Sequence, residues 1–173
     1  MTTSGSTNFE PNVTEFIEEA YERCGLELRT GYDLKSALRS VNIMLAEWAN
    51  RGLNQWTIDQ STQTVTQGTY DYALNSNVID VLDVVVRRTV NNIQTDISMS
   101  RLSRSEYLNI PNKETQARPS QFFLDKSITP VLKVWPAPEN STDVIVFNKI
   151  IRMDDADAAN NTMDMPFRFF PCF

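Results

Sequence analysis

The residue types best suited to covalent or acid/base chemistry are scarce in this chain: its 173 residues include no His and two Cys, Cys24 and Cys172. Without imidazole there is no Ser/His or Cys/His nucleophile pair, no histidine metal ligand and no ordinary side chain titrating near neutrality. Two cysteines are too few for a thiolate zinc site or a disulfide framework, and two reduced thiols are expected, although the count is compatible with one bridge. Gly5, Gly25, Gly31, Gly52 and Gly68 stand singly, so there is neither a phosphate-cradling loop nor a dinucleotide turn. Asp154, Asp155 and Asp157 form the one carboxylate cluster suited to a hard cation, but they lack the glycine and terminal glutamate of a calcium loop and read as a solvated turn. A glycosidase needs two carboxylates facing each other across a cleft, a separation that no spacing along the chain establishes. No catalytic residue, metal or cofactor is expected.

The charge pattern narrows the partners. The chain carries 16 Lys and Arg against 22 Asp and Glu, a formal net charge of -6. Both ends are acidic, with six acids and two bases over residues 1–30 and six acids and three bases over residues 139–173. Wrapping nucleic acid needs a clustered basic face. The modest basic concentration at Arg87, Arg88, Arg101 and Arg104 is read as inter-subunit ion pairs or plain surface, with a phosphate contact as the alternative. Ser, Thr, Asn and Gln supply 51 residues, which suits solvent or large polar interfaces. No stretch approaches the ~18 apolar residues of a membrane span, and Met1 to Glu10 is polar rather than leader-like, so a soluble, unexported protein is expected.

Two helices should position the N-terminal charges. After a flexible arm over residues 1–11, Asn12 is a good N-cap and Val13, Phe16, Ile17, Ala20, Tyr21 and Cys24 recur at helical spacing before Gly25. A second helix is expected from Asp33 to Gly52, with Leu34, Ala37, Leu38, Val41, Leu45, Trp48 and Ala49 on the face that packs against the first. The outward face of the first then carries Glu15, Glu18, Glu19 and Glu22, either a solvated surface or an acidic channel lining or partner-docking face.

Beyond Gly52 the helical period gives way to β-branched and aromatic runs at 56–58, 63–66, 78–88, 121–125, 131–135 and 143–153, separated by turn formers. A mostly antiparallel sheet is expected, with 131–135 and 143–153 as a hairpin across Pro136-Ala137-Pro138-Glu139-Asn140. The last run is apolar on both faces, Val144, Val146 and Ile150 on one and Ile145, Phe147, Ile151 and Met153 on the other. One face should reach the core, and the other requires cover from a helix of the chain or a neighbouring copy. This makes Phe147, Ile151 and Met153 candidate partner-binding residues. Ser103 and Glu106 form a capping box that opens a short inserted helix. Phe167, Phe169, Phe170 and Phe173 crowd an acidic aromatic tail at 154–173, and they are candidates for burial against the domain or a neighbour.

The expected organisation is therefore α+β: a helical part at 12–52 and a mainly β part at 53–153 in one domain, followed by the tail. Three ordered blocks, residues 37–58 (ALRSVNIMLAEWANRGLNQWTI), 100–113 (SRLSRSEYLNIPNK) and 118–139 (RPSQFFLDKSITPVLKVWPAPE), resemble the head-to-tail adaptor, or tail accessory factor, family of short-tailed double-stranded DNA bacteriophages. With the Gly68 to Leu74 segment (GTYDYAL), the resemblance covers most of residues 12–170. It implies a non-enzymatic virion protein at the head-tail junction, assembled in the host cytoplasm. It further implies a ring, usually of twelve copies, that binds the portal, extends the DNA channel without specific DNA binding, and carries the tail nozzle or tailspikes. Family members generally run on past Pro166-Phe167-Arg168-Phe169-Phe170 into another helix and a portal-docking extension, so either the four phenylalanines bury against the domain or a neighbour, or the natural chain continues beyond Phe173. The rival readings are a virion-associated peptidoglycan hydrolase and a monomeric interaction domain.

Overall fold

The computed structural model describes residues 5, 9–53, 56–157, 160–166 and 168–169. The chain divides into two compact units, Met1–Trp56 with Met153–Phe173 and Thr57–Arg152. The C-terminal residues thus share a unit with the helices, where a separate tail was expected.

In the helical unit, α1 spans Val13–Arg23. Its first turn is closed reciprocally: Asn12 Oδ1 accepts the Glu15 N–H at 2.9 Å and Glu15 Oε2 accepts the Asn12 N–H at 2.8 Å. It ends at Gly25, whose φ of +72° is the left-handed geometry that an L side chain resists. The second helix, α2, spans Gly31–Asn50 and starts earlier than Asp33. Thr30 is the N-cap, and Asp33 occupies the third helical position, returning a carboxylate to the Thr30 N–H at 3.2 Å and hydroxyl at 2.7 Å. Either end of such a box resembles a cap in sequence, which accounts for the shifted start.

Val13, Ile17, Val41 and Leu45 meet Met153, Ala156 and Met165 in one core, with Leu34, Ala37, Leu38, Tyr21 and Trp48 at its margin. Ala20 and Cys24, expected on the buried face, are exposed, because the buried stripe of α1 narrows to Val13, Ile17 and Tyr21. Long-range polar contacts fasten the C-terminal segment to the helices. The Val13 N–H donates to Asn161 O at 3.0 Å, the Ala156 N–H to Asn42 Oδ1 at 2.8 Å, and Trp56 Nε1 to Asp164 O at 2.9 Å.

The second unit holds β1 (Ile58–Thr64), β2 (Asp71–Ala73), β3 (Val78–Val90), β4 (Ile93–Ser98), β5 (Ser100–Arg101), α3 (Arg104–Leu108), β6 (Gln121–Asp125), β7 (Val131–Trp135) and β8 (Val144–Ile151). They form two four-stranded sheets in the orders β1-β8-β3-β4 and β2-β7-β6-β5. All pairings are antiparallel except β5 with β6. The α+β class is as expected. One core joins the sheets: Val81, Val84, Val86, Ile145 and Phe147 from the first, and Tyr72, Phe122, Leu124, Leu132 and Val134 from the second. Leu132 and Val134 alternate with half-buried Val131, Lys133 and Trp135, the period of a strand with one face in the core.

The expected β7–β8 hairpin does not form, because the two strands lie in different sheets. Pro136 and Pro138 have no N–H for a ladder, and between them Ala137, fully buried, bonds instead to a parallel stretch of chain. Its N–H donates to Thr115 O at 2.9 Å and its carbonyl accepts the Ala117 N–H at 2.9 Å. Thus anchored, residues 136–143 carry the chain from one sheet to the other. The partner of β7 in its hairpin is β6, in register from Gln121↔Trp135 to Asp125↔Val131. In place of separate runs at 56–58 and 63–66, one continuous strand, β1, spans Ile58–Thr64 and overlaps both.

Candidate functional site

The four candidate glutamates of α1 are all exposed, but they are not equivalent. Glu15 is engaged in the N-terminal box, and Glu19 accepts from Arg23 Nε at 2.8 Å one turn away. Glu18 and Glu22 make no ion pair among the described residues. Of the four, one is ion-paired and one is committed to the helix cap, which leaves Glu18 and Glu22 as the two carboxylates without either engagement.

The apolar candidates divide differently. Phe147 is 5% exposed inside the β core, and Met153 is 3% exposed inside the helical core. Both side chains are enclosed by their own units, which corrects the partner-facing role expected of them. Ile151 is half-buried against the β core. On the opposite face of β8, Val146 is buried while Val144 and Ile150 are half-buried. Phe169 rests against Trp56 with ring centroids 4.7 Å apart. Phe167, Phe170 and Phe173 lie outside the described residues.

The four arginines that could have met phosphate or a neighbouring subunit each find a carboxylate in the same unit. Arg87 forms a two-pronged pair with Asp96, at 2.8 and 2.7 Å across the β3–β4 ladder. Arg101 reaches Asp80 at 2.8 Å, which also accepts Lys126 at 2.9 Å, and Arg104 reaches Asp125 at 2.7 Å. Arg88 is the most enclosed, binding Asp143 through Nε at 2.9 Å and Nη2 at 2.8 Å and Glu139 at 3.1 Å. Asp143 is 3% exposed and also accepts from Asn140 Nδ2 at 3.3 Å. The Arg88 guanidinium therefore holds the Asp143 carboxyl below the usual carboxylate range, against the opposing effect of burial, and Asp143 in turn raises Arg88. For Asp80, burial pushes upward, but the hydrogen bonds from Lys126, the Val81 N–H and Arg101 outweigh it and the carboxyl titrates low. This arrangement replaces the expected inter-subunit pairs with pairs inside the protomer and leaves these bases little reach toward phosphate.

The capping box at Ser103 forms as expected, with Glu106 Oε2 accepting the Ser103 N–H at 2.7 Å. It directs Tyr107 onto Phe123, the rings stacked at 5.1 Å, with the Arg104 guanidinium 5.9 Å from the Phe123 ring centre and Lys113 Nζ 5.5 Å from that of Tyr107. Burial raises the Tyr107 hydroxyl to about 12, keeping it neutral. The block at 100–113 is therefore a packed clasp on the outer side of β6. Asp154, Asp155 and Asp157 line an open hollow with Asn160, Asn161 and Asp164, and no group of three potential ligands there or elsewhere among the described residues is arranged to hold a metal ion.

Three strands fall outside the runs expected from the sequence, the short β2 and β5 and the longer β4. The run at 78–88 extends to Val90 and turns back through Asn91 and Asn92, both at positive φ (51° and 62°), into the unexpected strand β4. An Asn-Asn pair between β-branched residues is the available signal, since asparagine tolerates the left-handed conformation that a two-residue hairpin turn requires.

Residues 11–172 match the family model of the SU10 adaptor protein, a span that includes both units. The chain belongs to the SU10 adaptor protein family. No curated protein matches it. Family membership makes it a bacteriophage structural adaptor and a component of the virion, in keeping with the resemblance carried by the three sequence blocks. In this adaptor the residues of those blocks serve packing: Leu45 and Trp48 in the helical core, Tyr107 in the clasp, and Phe122, Leu132 and Val134 between the sheets. No helix among the described residues is long and apolar enough to cross a membrane.

Proposed function

We propose that copies of this adaptor assemble as a ring between the portal and the tail of the virion, extending the DNA channel and offering a platform for the nozzle or tailspikes. The observation that carries this reading is the family match over residues 11–172. The electrostatics support it. A chain of net charge -6, with Arg87, Arg88, Arg101 and Arg104 already paired to carboxylates, repels the DNA backbone more than it grips it, and DNA must slide through a channel. Exposed Glu18 and Glu22 are proposed to face the channel or a docking partner, and Ile151 and Phe169, with Phe167, Phe170 and Phe173, to contribute to subunit or portal contacts. The portal is the proposed template, with twelve copies the proposed number. Assembly would occur in the host cytoplasm.

The test is the mass of the purified adaptor in solution with and without the portal. Because like-charged protomers repel while a preformed portal presents neighbours at high effective concentration, the adaptor should be monomeric alone at low concentration and should form a ring on the portal. A stable free ring at low salt contradicts the template, and failure to bind the portal contradicts the function. A second measurement addresses the channel. Reversing Glu18 and Glu22 to Lys adds a phosphate contact in every subunit, so genome ejection should slow at low salt and recover as salt rises. An ejection rate unchanged at low salt places this helix away from DNA.

A further inference from the structure

The two sheets of the β unit end in opposite ways. In the sheet β2-β7-β6-β5, the edge strands are three and two residues long, too short to template another strand. In the sheet β1-β8-β3-β4 the edges are seven and six residues long, and β4 is exposed at every position. Neither edge carries Pro or Lys, the residues that commonly guard an open edge. Each carries one acid, and each acid is neutralised by the adjacent strand of its own sheet, Asp59 by Lys149 at 3.3 Å and Asp96 by Arg87 at 2.7 Å.

The backbone parity of these edges can be read from the ladder. The Met99 N–H donates to Val84 O at 2.9 Å, so alternation along the antiparallel pair turns Ile93, Thr95 and Ile97 toward β3 and leaves the backbone groups of Gln94, Asp96 and Ser98 pointing outward. At the other edge the Ile151 N–H donates to Thr57 O at 2.8 Å, so Asp59, Ser61 and Gln63 bond toward β8 and Ile58, Gln60, Thr62 and Thr64 point outward. Both outward sets lie on the same face of the sheet, since they share it with Val144 and Val146 through Thr64↔Val144, Thr62↔Val146, Val85↔Val146 and Val85↔Ser98. An even number of antiparallel strands guarantees this match and also makes β1 and β4 run in opposite directions.

We infer that β4 of one adaptor copy pairs antiparallel with β1 of the next, continuing the four-stranded sheet from subunit to subunit. The occupant of each edge is a second copy of this chain, because the two edges match each other in length, direction, face and neutralised charge. The pairing is head-to-tail, the class of contact that closes into a ring when its rotation permits. It deepens the ring reading and rests on it for closure. With Asp96 opposite Thr62, Gln94 faces Thr64 and Ser98 faces Gln60, and polar side chains meet along the seam.

The experiment uses single-cysteine variants of the full chain in a Cys24→Ser, Cys172→Ser background. Across a hydrogen-bonded antiparallel pair the Cα atoms lie about 5.5 Å apart, within disulfide reach. Mixing Gln60→Cys with Ser98→Cys at high protein concentration under mild oxidation should give the mixed dimer in preference to either homodimer. The double variant should give a ladder of covalent oligomers. Gln94→Pro removes an outward N–H and leaves the β3 ladder its donors, so it should abolish the ladder of the double variant while the melting temperature is retained. Homodimers in preference to mixed dimers, no product at all, or a ladder that survives Gln94→Pro in a folded protein would each overturn the pairing. Portal binding is scored separately: a ladder without it keeps this inference and removes the portal reading, and portal binding without a ladder does the reverse.

Discussion

The two sheets of the β unit share one core and differ at their margins. Phe122 and Leu132 from one and Val84 and Ile145 from the other are all but fully buried together, so neither sheet forms its hydrophobic face without the other. Yet one sheet stops in strands of two and three residues, while the other ends in strands of six and seven. The difference separates two demands on one fold. Apolar area removed from water determines stability and is indifferent to where strands end, whereas unpaired edge backbone governs association and contributes little to the stability of the protomer.

Substitutions can break this comparison, and the largest effects should come from the shared core. Phe122→Ala and Ile145→Ala come from opposite sheets but empty the same interior. Each should lower the unfolding free energy by about 3–5 kcal/mol and about 2–5 kcal/mol respectively, in one cooperative transition on denaturant titration. If one sheet melted while the other persisted, the core would not be shared.

Asp143 should have the next largest effect, because it joins the crossover segment to β3 through Arg88. Asp143→Asn removes a nearly buried charge-assisted pair and should cost about 2 kcal/mol at neutral pH. Its pH dependence has a definite sign. A carboxyl whose folded-state pKa is depressed contributes stability that is complete above its unfolded value, near 3.8, and is lost as pH falls through the lower folded value. Wild-type stability should therefore decline in acid below about pH 5, and Asp143→Asn should decline less steeply. Asp80 and Asp96, also held low, retain part of the slope. Equal acid profiles for the two proteins would show that Arg88 does not stabilise the ionised form.

At the edges the stability effects should nearly vanish. Gln94→Lys places a charge on exposed β4 and should change unfolding free energy by less than about 0.5 kcal/mol. Its effect should fall instead on association, measured by sedimentation at high concentration, because a lysine at the seam opposes strand pairing. At the hairpin tip, Val90 and Ile93 face each other and are 54% and 68% exposed. Ile93→Ser should likewise leave the melting curve within the same margin. A large destabilisation from either change would mean that the edge is part of the folded core after all.

Local chemistry made much of this adaptor legible in its sequence. Asn12 with Glu15 and Ser103 with Glu106 are capping boxes that act within four residues, Gly25 ends a helix by its own permitted φ, and the alternation of Leu132 and Val134 marks a strand with one face inside. The three ordered blocks pointed to the family, while the absence of histidine removed imidazole chemistry and the net charge of -6 argued against wrapping nucleic acid. Tertiary structure decided the rest. A strand's period shows that it has a buried face and says nothing of which strand lies beside it, so β7 and β8, adjacent in sequence, could fall in different sheets. Burial of Phe147 and Met153 in separate cores, pairing of four arginines within the chain, and return of the C-terminal segment to the helices all depend on contacts between residues far apart in sequence. Such contacts are set by the packing of whole elements, and sequence spacing carries no direct measure of them.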